Sequence, residues 1–448
     1  VRLEGEGLQG RLSDVLFEVE SPRDVRLAEG EEAEIAFAWA DGSGLEVEKR
    51  LKLTGGSYEV AVEISVRESG REIGKGVLYG PGIGDEVREG RYVGVEKGVM
   101  AARGDVDLYT ASQVEEGEGE GVDVTATGVA SHYFAGLMLP SGEGLYGASF
   151  EKATVPKREG ESKDREVITA VLDAPRSRAR FTLYVGPKKL ENLEALAPGM
   201  GRIIEFGSWM RAPALLLRMG LMKIDSVVGN YGWSIVLLTV AINLVLLPLK
   251  HYSFVSMRRM QKLSPQIQHI RDRYKKVKPT DPRYQHMNQE IMSLYKEHKV
   301  SPVSGCLPML LMIPFFFAFY RLLMASIELR QAPFVFWISD LSQFDPYFVL
   351  PILMGVTQVA IQRMTPQTSA DPMQAKIMQF MPILFTFILA WAPSGLVLYW
   401  FSNNLVSMGQ QTVTNRILKN REEKAEEEEK AAKKQRKSKS KGKGGKTA

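Results

Sequence analysis

The sequence predicts a multi-domain membrane protein: an extracytoplasmic antiparallel β-sandwich followed by an α-helical bundle of five transmembrane spans with a cytoplasmic helical hairpin. Three observations predict it. The 448 residues are 44% hydrophobic and 25% charged, an ordinary average that conceals two opposite parts. Residues 1–200 carry 24 Lys+Arg against 37 Asp+Glu, and the remainder carries 33 against 16. The acidic part alternates apolar and polar residues between glycine-rich turns, whereas the basic part holds every long apolar run. That composition excludes a disordered or collagen-like chain.

In the acidic part, Tyr58, Val60, Val62, Ile64 and Val66 alternate with Glu59, Ala61, Glu63, Ser65 and Arg67, and Phe181, Leu183 and Val185 repeat the pattern. Such alternation puts one face of a strand in a core and the other in water. Thr54-Gly55-Gly56 and the Glu115–Gly121 run supply turn signals. The acidic run lacks the ligand pattern of a calcium loop and reads as a solvated loop. His132 has no partner pattern for catalysis and reads as structural. The single cysteine, Cys306, excludes an internal disulfide and a multi-cysteine metal site. The chain starts at Val1 without a signal peptide, so a fragment whose targeting segment lies upstream is expected.

Five apolar stretches follow, at Tyr231–Leu249, Cys306–Ala325, Tyr347–Gln362, Ile377–Ala392 and Leu396–Met408. The first two have the length to cross a bilayer. The other three are short, and their charged flanks, terminal Trp and Tyr residues and serial arrangement argue for spans over buried core helices. Lys250–Gly305 has 12 Lys+Arg against four acids, and the tail from Thr412 has 13 against six. Ser326–Pro346 has only Arg330 against three acids. The positive-inside rule therefore places the first two in the cytoplasm and the sandwich outside. Trp209–Ile224 reads as an amphipathic helix lying in the membrane interface, with a buried connector as the alternative. Met260, Leu263, Ile267, Ile270 and Tyr274, then Tyr284, Met287, Ile291 and Leu294, give two apolar seams, read as a helical hairpin in which Pro265 kinks the first helix. Its histidines, His251, His269, His286 and His298, are not spaced as metal-ligand pairs. The expected domains are residues 1–197 as the sandwich, 198–230 as a linker with the interfacial helix, and 231–415 as the five-span core including the hairpin at 250–303. Residues 416–448 are expected to be a basic disordered cytoplasmic tail, suited to ribosomal RNA or anionic lipid, or simply solubilising.

At the level of motifs, Val228-Gly229-Asn230, Gly305-Cys306-Leu307-Pro308, Glu328–Pro333, Leu350–Thr357 and Pro393–Tyr399 occur in order, and together they resemble the YidC/Oxa/Alb family of membrane protein insertases. Tyr133-Phe134-Ala135 and Val185-Gly186-Pro187 resemble the family's large periplasmic domain more loosely. The resemblance implies a further amino-terminal span, location in the bacterial inner membrane, and an insertase or chaperone that is not an enzyme and needs no cofactor or metal. It implies nascent membrane proteins as clients, with membrane lipids and the Sec translocon as partners; the charge of the basic tail adds the ribosome, and no DNA partner is expected. A client's polar segment would enter a hydrophilic groove open to cytoplasm and lipid. The groove usually carries one positive residue, and the matching position here is the neutral Asn243.

Thr239 lies one turn from Asn243 on the same face. Gln358 and Gln362, and Tyr399 and Asn403, are likewise four apart, with Ser407 and Gln411 continuing the latter face. Together with Trp391 and Trp400, the residues Thr239, Asn243, Gln358, Gln362, Tyr399 and Asn403 form the candidate client-binding groove. Hydrogen bonds that only hold the bundle together are the plainer role for such pairs. Methionines including Met309, Met312, Met354, Met378 and Met381 suit an adaptable slide, or simple packing. A transporter or channel with an extracytoplasmic binding domain is the alternative function, although no internal repeat supports it.

Overall fold

The computed structural model describes residues 16–19, 24–42, 44–72, 76–80, 83, 96–156, 164–175, 178–207, 209–275, 277, 281–298, 300, 307–365 and 372–443. Val1, Cys306 with its Gly305 neighbour, and most of the connection expected between the hairpin helices lie outside the described residues, as do the side chains of Met309 and Met312. The chain divides into two compact units, residues 1–205 with 325–328, and 206–324 with 329–448.

Alternating residues build the first unit. The strands β1 (Glu18–Val19), β2 (Glu32–Ala40), β3 (Leu45–Thr54), β4 (Glu59–Glu68) and β5 (Arg71–Glu72) come first. They are followed by β6 (Gly76–Tyr79), β7 (Lys97–Ala102), β8 (Asp105–Tyr109) and a short helix, α1 (Ala111–Glu115). Then come β9 (Gly121–Val122), β10 (Val124–Ala130), β11 (Phe134–Pro140), β12 (Gly147–Val155), β13 (Arg165–Asp173) and β14 (Arg178–Pro187). One sheet has the order β1-β2-β3-β4-β14-β11-β10-β7-β8 with β5 against β4, and the other β6-β13-β12-β9. All the described pairings are antiparallel. Val62, Ile64, Val129, Met138 and Phe181 from the first sheet share a core with Ala148, Phe150, Ile168, Ala170 and Leu172 from the second. That common core is the sandwich expected from the alternation.

Two details depart from the simple pattern. Phe181 is buried as expected, but Val185 is 45% exposed and Tyr184 is buried in its place. The end of β14 has its opposite face covered: the Tyr184 ring meets Tyr58 edge-on, its hydroxyl donates to the Pro187 carbonyl at 2.6 Å, and Asn192 of α2 (Leu190–Leu196) lies at that hydroxyl. The acidic Glu115–Gly121 run is also more than a solvated loop. Gly119 has φ +94°, and a Cβ there would lie 2.7 Å from the Phe150 ring, so glycine is needed both for the backbone and for the packing. Glu115 pairs with Lys152 at 2.7 Å.

Lys188 is a buried cation in this unit, donating to the Ser131 carbonyl at 3.0 Å. Burial pushes its ammonium down from 10.5 to about 8, Glu205 opposing that effect and Lys97 adding to it. The folded-state value lies below the unfolded one, so below pH 8 the charged lysine costs the fold about 3 kcal/mol, a cost relieved as pH rises from about 8 towards 10.5. Lys188→Met is expected to raise stability at pH 7 and to flatten that rise. Denaturant melts across pH 7–10.5 check it, and an unchanged pH profile would refute it.

The second unit is helical: α3 (Arg211–Val228), α4 (Tyr231–Arg273), α5 (Pro282–Glu297), α6 (Leu307–Ala325), α7 (Val349–Met364), α8 (Pro372–Leu389) and α9 (Ser394–Lys443). Gly229, at φ +67°, ends α3, and the Asn230 side chain accepts from the Trp233 backbone N–H to begin α4. Helix α3 is two-sided: Ala214, Leu217 and Leu221 are buried, Leu216 and Met219 are exposed, and it packs on α4. Among the described residues α4 is the helix long and apolar enough to cross a membrane, and Ile313–Ala325, Val349–Met364 and Lys376–Leu389 are shorter apolar helices.

The expected first span and first hairpin helix are one continuous helix, passing through Pro248 and Pro265. A proline removes one backbone bond, while the apolar positions beyond it stay in phase. Met260, Leu263, Ile267 and Ile270 of α4 pack with Met287 and Ile291 of α5, Arg273 pairs with Glu290, and Asp281 caps α5 by accepting from the Arg283 backbone N–H at 2.9 Å. The tail differs more. Where a disordered segment is expected from Arg416, α9 stays helical to Lys443. The reason lies in its Ala, Glu, Lys and Arg content, a composition of good helix formers, with Lys419 and Glu423 paired one turn apart.

Candidate functional site

Within the helical unit, polar side chains gather where α4 meets α9. The Thr239 hydroxyl donates to the Ile235 carbonyl at 2.7 Å, so its own bond is satisfied inside the helix. Asn243, one turn on and 1% exposed, is the hub. Its Nδ2 donates to the Thr239 carbonyl at 2.8 Å and to Asn403 Oδ1 at 3.1 Å. Because a carbonyl oxygen only accepts, this pairing turns Asn243 Oδ1 outward. Lys250 Nζ reaches that oxygen at 2.5 Å and Ser407 Oγ at 3.3 Å. Gln410 Nε2 closes the group by donating to the Asn243 carbonyl at 3.2 Å.

The remaining sequence-predicted residues lie in other groups. The Trp400 indole N–H donates to Gln358 Oε1 at 3.0 Å, and its ring meets Phe316 and Phe385. Gln362 donates to the Met378 carbonyl. Tyr399 is 3% exposed and stacked on Phe319 with centroids 4.5 Å apart. Trp391 is exposed at the turn into α9, edge-on to Phe387 at 5.1 Å. Thus Thr239, Asn243 and Asn403 share one cluster, Gln358 and Trp400 share another, and Gln362, Tyr399 and Trp391 stand apart.

The face expected from Tyr399 through Asn403 and Ser407 to Gln411 divides between neighbours. Asn403 and Ser407 turn to α4, whereas Gln411 Nε2 donates to Thr365 Oγ1 beyond α7 at 3.2 Å. Each step of four residues advances about 400°, so such a row drifts about 40° per step around the helix. Sequence reasoning missed Lys250, Gln410 and Asn404. Asn404 is buried, donating to the Met354 carbonyl at 3.3 Å and to Thr357 Oγ1 at 3.2 Å. Lys250 was legible: seven residues is about 20° short of two turns, which puts it on the Asn243 face.

Comparison with known proteins bears on what this cluster belongs to. Two family models match in succession, "YidC periplasmic domain" over residues 3–215 and "60Kd inner membrane protein" over residues 223–423. A membrane protein insertase YidC from Geobacter metallireducens is 37% identical over 406 residues, covering 89% of this chain and 73% of the relative. The chain belongs to the YidC family. The YidC of Geobacter sulfurreducens is 36% identical over 88% of this chain and 73% of its own length, and that of Campylobacter jejuni 38% identical over 84% and 66%. A solved structure, an active YidC insertase crystal structure with its first transmembrane domain resolved, is similar at 20% identity and a TM-score of 0.40, covering 89% of this chain and 82% of that one. Asn243 itself is neutral, and the cation in the described cluster is Lys250.

Proposed function

We propose that this chain is a membrane protein insertase whose polar cluster between α4 and α9 receives the hydrophilic segment of a membrane protein client. The observation that carries the reading is Asn243, buried and hydrogen-bonded among the half-buried Asn403, Ser407, Gln410 and Lys250 where the apolar first half of α4 packs on α9. Polar groups at such a depth are costly without a role. The family relatives, each named a membrane protein insertase, support it. A partly polar path lowers the cost of carrying a client's polar groups across hydrocarbon. Burial of the client's apolar segment, about 25 cal/mol per Å², then drives insertion.

In this reading the first half of α4, α6, α7, α8 and the first half of α9 are the five spans. The second half of α4 with α5 forms the cytoplasmic hairpin, α3 lies in the interface, and the sandwich is periplasmic in the bacterial inner membrane. The groove extends to Gln358, Gln362, Trp391, Tyr399 and Trp400. Lys- and Arg-rich α9 beyond Arg416 serves the ribosome, and the Sec translocon is a partner for larger clients. A transporter or channel draws no support from the relatives.

The test is reconstitution of the full-length protein alone in liposomes with a short-tailed, single-span client. Client-dependent insertion above protein-free liposomes is expected. No insertion, with the protein shown to be folded, would overturn the reading.

A further inference from the structure

Residues 331–348, which lead into α7, are held tightly and yet present large aromatic side chains to the outside. The Phe334 backbone N–H donates to the Ile338 carbonyl at 3.0 Å and the Ile338 N–H to the Val335 carbonyl at 3.1 Å, closing a turn with Phe336 at its tip. Phe336 has φ +52° and is 93% exposed. A bulky residue rarely takes that left-handed backbone, and such strain persists only where the surroundings enforce it. Several contacts enforce it here. Asn230 Nδ2 donates to the Pro333 carbonyl at 3.2 Å, and the Trp337 indole, stacked on Phe336, donates to Asp345 at 2.9 Å. The Ser394 and Gly395 backbone N–H groups donate to the Gln343 and Leu341 carbonyls at 2.7 and 2.9 Å. These contacts place the loop at the end of the bundle where α4, α7 and α9 begin. Trp233, Tyr347 and Trp391 are exposed there, meeting Phe334, Trp337 and Phe348 edge-on. The segment's only charges are Asp340, which accepts from Ser342, and the buried Asp345.

We propose that this loop is a lipid-docking surface, with the Phe336 ring set among lipid headgroups and Trp233, Tyr347 and Trp391 around it. Two properties select lipid as the occupant. The surface continues from the ends of apolar helices, where hydrocarbon gives way to headgroups and Trp and Tyr are favoured. It also has no cation, and its two acids are taken up by its own donors, so nothing on it registers a charged partner. Because the backbone is already fixed, seating the ring costs little further ordering. The inference rests on the spans proposed above and adds a membrane contact outside them.

The test uses the full-length protein carrying Cys306→Ser and one new cysteine, labelled with an environment-sensitive fluorophore in phosphatidylethanolamine–phosphatidylglycerol vesicles. Quenching is read with lipids bearing a nitroxide near the headgroup or deep in the chain, and with aqueous iodide. A label at Phe336→Cys is expected to lose about twofold more emission to the shallow nitroxide than to the deep one, as suits a ring at headgroup depth. It is expected to lose about twofold less to iodide than a label at Leu145→Cys, an exposed position of the sandwich. Tyr347→Cys is expected to behave alike. Iodide quenching at both loop positions equal to that at Leu145→Cys means that water covers the loop, and overturns the inference. Shielding from iodide and both nitroxides means that protein covers it, whether a client, a second copy or another part of this chain, and overturns it too. Phe380→Cys, exposed midway along α8, separates this from the reading of the spans, and is expected to be quenched best by the deep nitroxide. Failure there, with shallow quenching at 336, overturns the span assigned to α8 and leaves the loop's lipid contact standing.

Discussion

Asp345→Ala is expected to destabilise the helical unit by about 3 kcal/mol, from one buried and two part-buried donors losing a charged acceptor, the buried one alone worth about 1–3 kcal/mol. Asp345 is 1% exposed. Its Oδ1 accepts from the Trp337 indole at 2.9 Å and from the Tyr347 backbone N–H at 3.0 Å, and its Oδ2 from the Leu350 backbone N–H at 2.7 Å. Two of these donors lie at the start of α7, where a carboxylate also meets the positive end of the helix dipole. Asp345→Asn turns one accepting atom into a donor that must face an N–H, and is expected to cost about 2 kcal/mol. Thermal melts of the solubilised protein, with Trp fluorescence following the indole, check both. A loss under about 1 kcal/mol for the alanine variant would mean that water replaces the carboxylate at all three donors.

Phe181→Ala is expected to cost the sandwich about 3–5 kcal/mol, the usual loss for emptying a phenylalanine-sized space in a core that relaxes only partly. Phe181 is 3% exposed and sits on β14 between Val62 of β4 and Pro140 of β11, packed with residues of both sheets. Against a typical domain stability of about 5–15 kcal/mol, the change removes a third or more. Denaturant unfolding read by near-ultraviolet circular dichroism checks it. The exposed Val185→Ala on the same strand is expected to cost under about 0.5 kcal/mol, and equal losses at the two positions would contradict the assigned faces.

These two residues mark how far the sequence could be read. Phe181 was legible because strand alternation is local: a residue's face follows from its neighbours at every second position. Asp345 was not, counting only as one acid in a weakly charged loop, because what it holds depends on where Trp337 and the start of α7 come to lie. Tyr184 shows the same limit, since a covering side chain from elsewhere moves burial to the face the alternation assigns to water. The end of α9 failed differently. Its charges suggested disorder, while the helix-forming preference of the same residues carried the helix on.

At the site, the sequence by itself determined which helices carry polar residues. Helical period is a property of one segment, so Thr239 with Asn243, and Asn403 with Ser407, could be placed on common faces without a structure. Which faces meet was decided by packing alone. The alignment of α4 with α9 joined Asn243 to Asn403 and Ser407, sent Gln411 to Thr365, and left Trp391 at an exposed turn. It also fixed the surroundings of the Lys250 ammonium, because a side chain's partners depend on the distance between helices and their rotation, and neither is written in the period of a single one.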